Sequence, residues 1–360
     1  MVGGMNGPKR TEQAGLSLVE LMVALTIASI LTFGVARIFL SSSQAYRLNE
    51  GLSRVQENVR YSIDHLQYTL RMAGFTGCSD NIFNWIDDYG DLDPGIVDGP
   101  AVVGWEASGT GIGDEVTPSL QTGGNWTSGS GDSMPGSVEE NALAGTDVVL
   151  VNRAVTLDVT LTGNPHGSGT TVVTDGSNPI PQGAMVMAVT ADCGGGDLWR
   201  KSSADGNASI TKGSNFNIVQ PGGFTQTYDN QAAIYGWTST AFYIGMGAGG
   251  EPALFQKRLD PGSDTSAQEL VEGVESMQIL YGVDTSNDRR TNAYETAADV
   301  NDWDSVVSVR LSLLLRTPEE VNSDEDDRVY NLAGTVVEPA NDRRTRQVAT
   351  TTISLRNRTE

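Results

Sequence analysis

From Leu16 to Leu40 the chain runs through 25 residues in which only Glu20 and Arg37 are charged. A helix of that length measures about 37 Å, enough to cross the hydrocarbon core of a bilayer with some tilt. A carboxylate inside such a run costs a few kcal/mol, so Glu20 asks for a partner and a purpose. Residues 1–14 are polar and Gly-rich, with Lys9 and Arg10 close to the run. Positive charge on this side predicts a single pass whose N-terminus is retained in the cytoplasm. A plain signal anchor and a cleaved secretory peptide are the competing readings. The second would be cut after the run, where Ser43-Gln44-Ala45 makes a weak site.

The helical signal continues past Leu40. Leu48, Leu52, Val55, Val59, Ile63, Leu66 and Leu70 follow in steps of three or four and form one face, while Arg54, Glu57, Arg60, Asp64 and Arg71 fall off it. Arg71 suits a last turn and Gly74 is placed to end the helix. One helix of about 58 residues is predicted, about 87 Å long, apolar all round over 16–40 and amphipathic over 41–74. Gly34 is its expected flex point, since no proline interrupts it. A coiled-coil signalling rod would need a sustained heptad repeat, which the second half lacks.

Beyond the helix the charge changes sign. Residues 1–73 carry seven Lys/Arg against five Asp/Glu, which leaves residues 74–360 at −24 of the net −22. No Lys or Arg occurs between Arg71 and Arg153, while thirteen acidic residues do. Nucleic-acid binding through a basic face is excluded, because phosphate contacts need clustered cations. Such an acidic surface favours solubility and attracts divalent cations. With 42 glycines and only 19% charged residues, the soluble part reads as a β-rich, loop-rich extracytoplasmic domain. Cys78 and Cys193, the two cysteines, are either one bridge in an oxidising compartment or two unrelated buried thiols.

Residues 75–145 read as a Gly/Asp-rich loop region anchored by Trp85, Trp105 and Trp126, with the acidic stretch Asp87-Asp88-Tyr89-Gly90-Asp91-Leu92-Asp93 as a solvated loop. From residue 146 to 360 the pattern turns to period two. Val148–Val151, Ala184–Thr190, Ala241–Ile244, Ala253–Arg258 and Met277–Tyr281 are short strands between Gly, Asn and Asp turns. The clearest strand alternates Val307, Val309, Leu311, Leu313 and Leu315 on one side with Ser308, Arg310, Ser312 and Arg316 on the other, and Pro318 closes it. Val348 to Arg356 is the last strand. An antiparallel sheet laid on the amphipathic half-helix gives an α+β fold, a long N-terminal helix on a β domain with large loop insertions.

Few residues offer chemistry. Gly245-Met246-Gly247-Ala248-Gly249-Gly250 matches GxGxxG, but Glu251-Pro252-Ala253-Leu254-Phe255 reads as a strand where a dinucleotide site needs a helix, so a hairpin turn is expected. The stretch Asp284 to Glu295 places Asp284, Ser286, Asp288, Asn292 and Glu295 at positions 1, 3, 5, 9 and 12, the spacing of an EF-hand calcium loop. Position 6, which that loop reserves for glycine, is Arg289, and flanking helices are not evident. A plain polar loop is therefore expected, with calcium as the alternative and no other cofactor. His65 and His166 are the two histidines, and neither has a partner set for zinc or for Ser/His catalysis. The chain does not read as an enzyme.

Gly15, the following Leu16-Ser17-Leu18-Val19, and Glu20 at the fifth position after the glycine together resemble the class III signal of type IV prepilins. Further stretches resemble the PilW family of minor pilins: Tyr46-Arg47-Leu48, Leu70 to Cys78, Ala191-Asp192-Cys193, Leu270 to Glu275, Tyr281 to Asp284, Val306 to Arg316 and Leu355 to Arg358. The resemblance covers the stem, the middle strands and the C-terminus, but not residues 80–145. It implies a pilin-like fold with a cleaved leader at residues 1–15, a cut between Gly15 and Leu16 by prepilin peptidase, and N-methylation of Leu16. It also implies a Cys78–Cys193 bridge tying the helix end to the sheet. Cleavage before the apolar run would leave the run in the mature protein, with the new Leu16 amine and Glu20 neutralising one another across subunits in a dry filament. Implied partners are other minor pilins, the major pilin, the assembly platform and a tip adhesin. The implied function is type IV pilus assembly or priming, with a minor pseudopilin of type II secretion as the alternative.

Overall fold

The computed structural model describes residues 17–87, 99–162, 169–218, 223–261 and 266–359. Gly15, Leu16, the rest of the leader, Asp88 to Asp93 and His166 lie outside the described residues. The chain divides into two compact units, Met1–Glu50 and Gly51–Glu360. A single helix, α1 (Leu18–Arg71), supplies the described part of the first unit and opens the second. It passes Gly34 without interruption, because nothing there removes a backbone donor.

In the second unit α1 buries Gly51, Val55, Ser62, Leu66, Thr69 and Leu70, with Val59 and Ile63 half-buried beside them. This is the stripe that the spacing of three and four sets out. The helix ends at Arg71, whose charge complements the helix dipole, and Gly74 then takes φ of +69°. A Cβ at Gly74 would stand 2.9 Å from Cβ of Ala101, so both conformation and space require glycine.

Eighteen strands follow among the described residues. They are β1 (Ile82–Asn84), β2 (Val102–Ala107), β3 (Glu115–Val116), β4 (Trp126–Thr127), β5 (Val148–Thr156) and β6 (Thr171–Val173). Next come β7 (Met185–Val189), β8 (Gly196–Arg200), β9 (Ser209–Thr211), β10 (Ala233–Met246), β11 (Pro252–Arg258) and β12 (Gln268–Glu272). The chain closes with β13 (Val274–Val283), β14 (Ala293–Glu295), β15 (Val306–Arg316), β16 (Tyr330–Leu332), β17 (Thr335–Val337) and β18 (Arg346–Ser354). The large sheet has the order β1-β8-β7-β10-β5-β2-β4, with β11 and β12 branching from the far half of β10. A second sheet runs β14-β13-β15-β18, a third β16-β17-β3, and β6 pairs with β9. Pairing is antiparallel except between β1 and β8 and between β3 and β17.

The α1 stripe, the inner faces of β2, β5, β10 and β11, and the Met277/Ile279/Tyr281 and Val309/Leu311/Leu313/Leu315 rows of the second sheet share one core. The fold is thus α+β, with two sheets meeting the helix where the sequence suggested one. A second core, around Trp199, Ile210, Val172 and Phe224, lies under β6 to β9. The glycine-rich stretch Gly247–Gly250 is the turn of the β10–β11 hairpin, as expected.

Two local readings are sharpened. Residues 75–145 read as a loop region with nothing longer than a short strand, and within them β2 is a six-residue strand buried along its whole length. Its sequence lacks polar alternation because both of its faces are covered, and alternation was the signal sought. Gly104 in its middle cannot carry a side chain, since a Cβ there would overlap the Tyr281 hydroxyl of the facing sheet. Second, Ser308, Ser312 and Arg316 were assigned to an outward face but are buried. The third sheet covers part of that face through Leu314, Leu332 and Val337.

Arg316 is buried within an ionic network. Its guanidinium donates to Oε1 of Glu275 (2.8 Å) and Oε2 of Glu251 (2.7 Å). Arg346, whose side chain is fully buried, donates to Oε2 of Glu275 (2.7 Å) and Oδ1 of Asp342 (2.8 Å), and Arg344 donates to Oε1 of Glu251 (2.9 Å). Removing the central carboxylate leaves two guanidiniums short of a counter-charge in a dry site. Glu275→Gln is therefore expected to destabilise the domain by roughly 3–5 kcal/mol, read from the denaturant midpoint.

Cys78 and Cys193 form a disulfide that spans 115 residues of sequence. It pins the segment after α1 to the turn between β7 and β8. Closing so long a loop removes much of the freedom of the unfolded chain. The double substitution Cys78→Ser, Cys193→Ser is expected to cost about 2–5 kcal/mol, and reductant should lower the midpoint of the wild-type chain but not of the variant.

Candidate assembly surface

Over residues 18–40 α1 exposes apolar side chains on every side. Leu18, Leu21, Leu25, Ile30, Phe33 and Phe39 are each more than half exposed, far beyond what a water-soluble helix leaves open. The helix passes the length and composition test for a membrane span. Its hydroxyl side chains bond within the helix. Thr26, Ser29 and Thr32 donate their hydroxyls to the carbonyls of Met22, Leu25 and Ala28, at 2.8, 2.7 and 2.8 Å. That is how a hydroxyl enters lipid or a dry helix bundle without an unpaired donor. Arg37 folds back over the Phe33 ring, 5.0 Å from its centroid.

Glu20 is exposed in the first turn of α1. The helix dipole favours an anion at this end, and a neighbouring amine would favour it further.

The other sites foreseen from the sequence fall in the soluble unit. The bridge between Cys78 and Cys193 is formed, and the reading of two separate thiols falls away. The three tryptophans do anchor their loops: the Nε1–H of Trp85 donates to Oδ1 of Asp197 (2.6 Å), that of Trp105 to the Asp132 carbonyl (2.9 Å) and that of Trp126 to the Thr146 carbonyl (2.9 Å). His65 packs edge-on against Phe242 and its Nε2 meets Oε1 of Gln256 at 2.9 Å, which fastens α1 to the β10–β11 hairpin.

Residues 284–292 connect β13 to β14 as a tight loop, with a strand and no helix on each side. Asp284 accepts from the backbone amides of Ser286 (3.0 Å), Asp288 (3.3 Å) and Arg289 (2.6 Å). Asn292 Oδ1 accepts from the amides of Thr285 (2.8 Å) and Ser286 (3.1 Å), while Asp288 caps the Arg290 amide at 3.1 Å. Glu295 sits apart in β14, opposite Tyr281. Arg289 takes φ of +63°, the left-handed geometry for which position 6 normally holds glycine. These carboxylates and amides are directed at the loop's own backbone. Among the described residues no group of three or more His, Cys, Asp or Glu is placed to hold a metal.

Buried carboxyl groups at two places, Asp197 and the Glu106–Asp147 pair, escape the sequence reading. Asp197 is enclosed by donors from Trp85, Thr225, Gln226 and Tyr228. Glu106 lies beside Asp147 where the two sheets meet, and their closeness follows only from the pairing of β2 with β5. No local pattern marks either position.

A long helix that is apolar in its first half and amphipathic in its second leads into a mostly antiparallel β domain. Residues 10–36 match the prokaryotic N-terminal methylation motif, and residues 241–357 match PilW, the type IV pilus-assembly protein W family. Together the two matches support a PilW-family type IV pilin. The second match runs from within β10 through β18 and takes in part of the shared core and the ionic network. No curated protein and no solved structure matches the chain.

Proposed function

We propose that this chain is a minor pilin, a structural subunit that takes part in assembling or priming a type IV pilus and is processed by prepilin peptidase between Gly15 and Leu16. The observation that carries this reading is the pairing of a methylation motif over residues 10–36 with a PilW domain at the other end of the same chain. Before assembly the apolar helix half is held in the inner membrane, with the N-terminus cytoplasmic and the β domain periplasmic. In the filament the same side chains pack against neighbouring helices, and the exposure of Leu18 through Leu40 supplies the surface they need. The role is one of assembly and not of catalysis.

Glu20 guides docking. Cleavage at Gly15 creates an amine on Leu16, and in a dry helix bundle that amine and the carboxylate of Glu20 neutralise one another across subunits. Partners are other minor pilins, the major pilin and the assembly platform, with a tip adhesin as a further one.

Mass spectrometry of sheared surface filaments tests the assignment. The expected result is a mature chain beginning at N-methylated Leu16. Its absence from pili, together with loss of protein secretion on deletion while pili persist, would place the chain in a type II secretion pseudopilus. Glu20→Ala should be cleaved normally yet enter filaments at least about tenfold less, the ratio that a loss of about 1.4 kcal/mol produces. Incorporation at wild-type levels would remove the docking role.

A further inference from the structure

Asp147, immediately before β5, ties the two main sheets together. Its backbone N–H donates to the Met277 carbonyl (2.9 Å), and its Oδ2 accepts from the Ile279 amide (2.8 Å), both on β13 of the second sheet. Its Oδ1 accepts from the Ala107 amide (3.1 Å) at the end of β2 in the large sheet. One carboxylate thus fastens strands from both sheets at a point where Asp147 itself is fully buried.

Glu106, two residues after Gly104 on the same strand, lies beside it and is also buried. The hydroxyl of Thr110 stands 2.8 Å from the Ala107 carbonyl, 3.2 Å from Oε1 of Glu106 and 3.4 Å from Oδ1 of Asp147. A hydroxyl has one hydrogen, and the Ala107 carbonyl is its nearest acceptor. That one hydrogen cannot satisfy both carboxyl groups, although Thr110 Oγ1 is also directed at Oε1 of Glu106 and Oδ1 of Asp147. The groups that face the pair are Thr110 from the turn after β2, Tyr281 from β13, and Asp299 with the backbone amide of Ala297 from the segment before β15. No ion pair joins either carboxyl to a Lys, Arg or His among the described residues. Two anions here would repel one another without a counter-ion in a site closed to water.

We propose that Glu106 is held as the neutral acid beside Asp147, and that this single proton locks the Asp147 tie between the two sheets and makes the domain weaken as the medium turns alkaline. Burial, then the charge of Asp147, push the Glu106 carboxyl from its ordinary value of 4.5 up to about 9. Burial likewise raises Asp147, against the amides of Ala107 and Ile279. The sign follows from proton counting. Between about 4.5 and 9 the folded chain holds a proton that the unfolded chain has released, so rising pH favours unfolding across that window and the loss levels off above it. One proton corresponds to up to about a tenfold rise in the unfolding constant per pH unit.

Full-length chain in detergent, unfolded by denaturant from pH 5 to pH 10 and followed by tryptophan fluorescence, tests this. Glu106→Gln keeps the shape of the neutral acid and supplies a fixed donor. It is expected to flatten the pH dependence and to exceed the wild type in stability at pH 10. Curves for the two proteins that fall in parallel would overturn the proposal. Unfolding calorimetry at pH 7 in buffers of different ionisation enthalpy gives a second readout that needs no folded variant. Release of about one proton by the wild-type chain supports the lock, and no release overturns it.

Discussion

The amphipathic half of α1 has to hide Val55, Leu66 and Leu70, and the rest of the soluble unit is built around that need. A lone helix cannot bury one face, and a lone antiparallel sheet leaves one face bare. Here three surfaces meet. The helix stripe, the inner rows of β2, β5, β10 and β11, and the inner rows of β13, β15 and β18 share a single core. The helix end is then secured twice. Gly74 turns the chain sharply against Ala101, and Cys78 fixes the following residues to the β7–β8 turn. Strands far apart in the chain are thereby held to one helix face, and Gly104 lets Tyr281 of the second sheet come down onto β2.

Much of this was legible locally. The apolar run, the stripe of three and four, Arg71 and Gly74 give the helix and its end within two residues, because each acts through neighbours in the chain. Strand β15 was readable for a similar reason, since Val309, Leu311 and Leu313 alternate with small or polar residues. The bridge between Cys78 and Cys193 was read from family likeness, with no local signal for the pairing.

What could not be read was whatever depends on contacts between distant strands. β2 escaped because burial on both faces erases alternation. Arg316 reads only as facing away from the apolar row, because its carboxylate partners, Glu251 and Glu275, come from a hairpin turn and another strand. Glu106 and Asp147 stand 41 positions apart in a glycine-rich acidic region, where one more carboxyl carries no information. Only the register of β2 on β5 brings them together. The loop from Asp284 shows how spacing and geometry part. Its spacing imitates a calcium site, but in space Asp284 and Asn292 serve backbone amides, and Glu295 belongs to a strand.

The two units answer opposite physical demands. In the soluble unit enclosed carboxylates such as Asp197 and Glu275 have donors or a counter-charge of their own. In the first unit the apolar side chains are left open, and the polar ones close on their own helix through Thr26, Ser29 and Thr32. A surface of that kind is unstable in water and stable in lipid or among similar helices, so it specifies its surroundings more tightly than it specifies a contact. Glu20 is the exception. Placed one turn into an otherwise apolar helix, it cannot be completed by lipid. Under the proposed function another chain delivers a positive charge at that depth, and the apolar helix half becomes a surface with a preferred register.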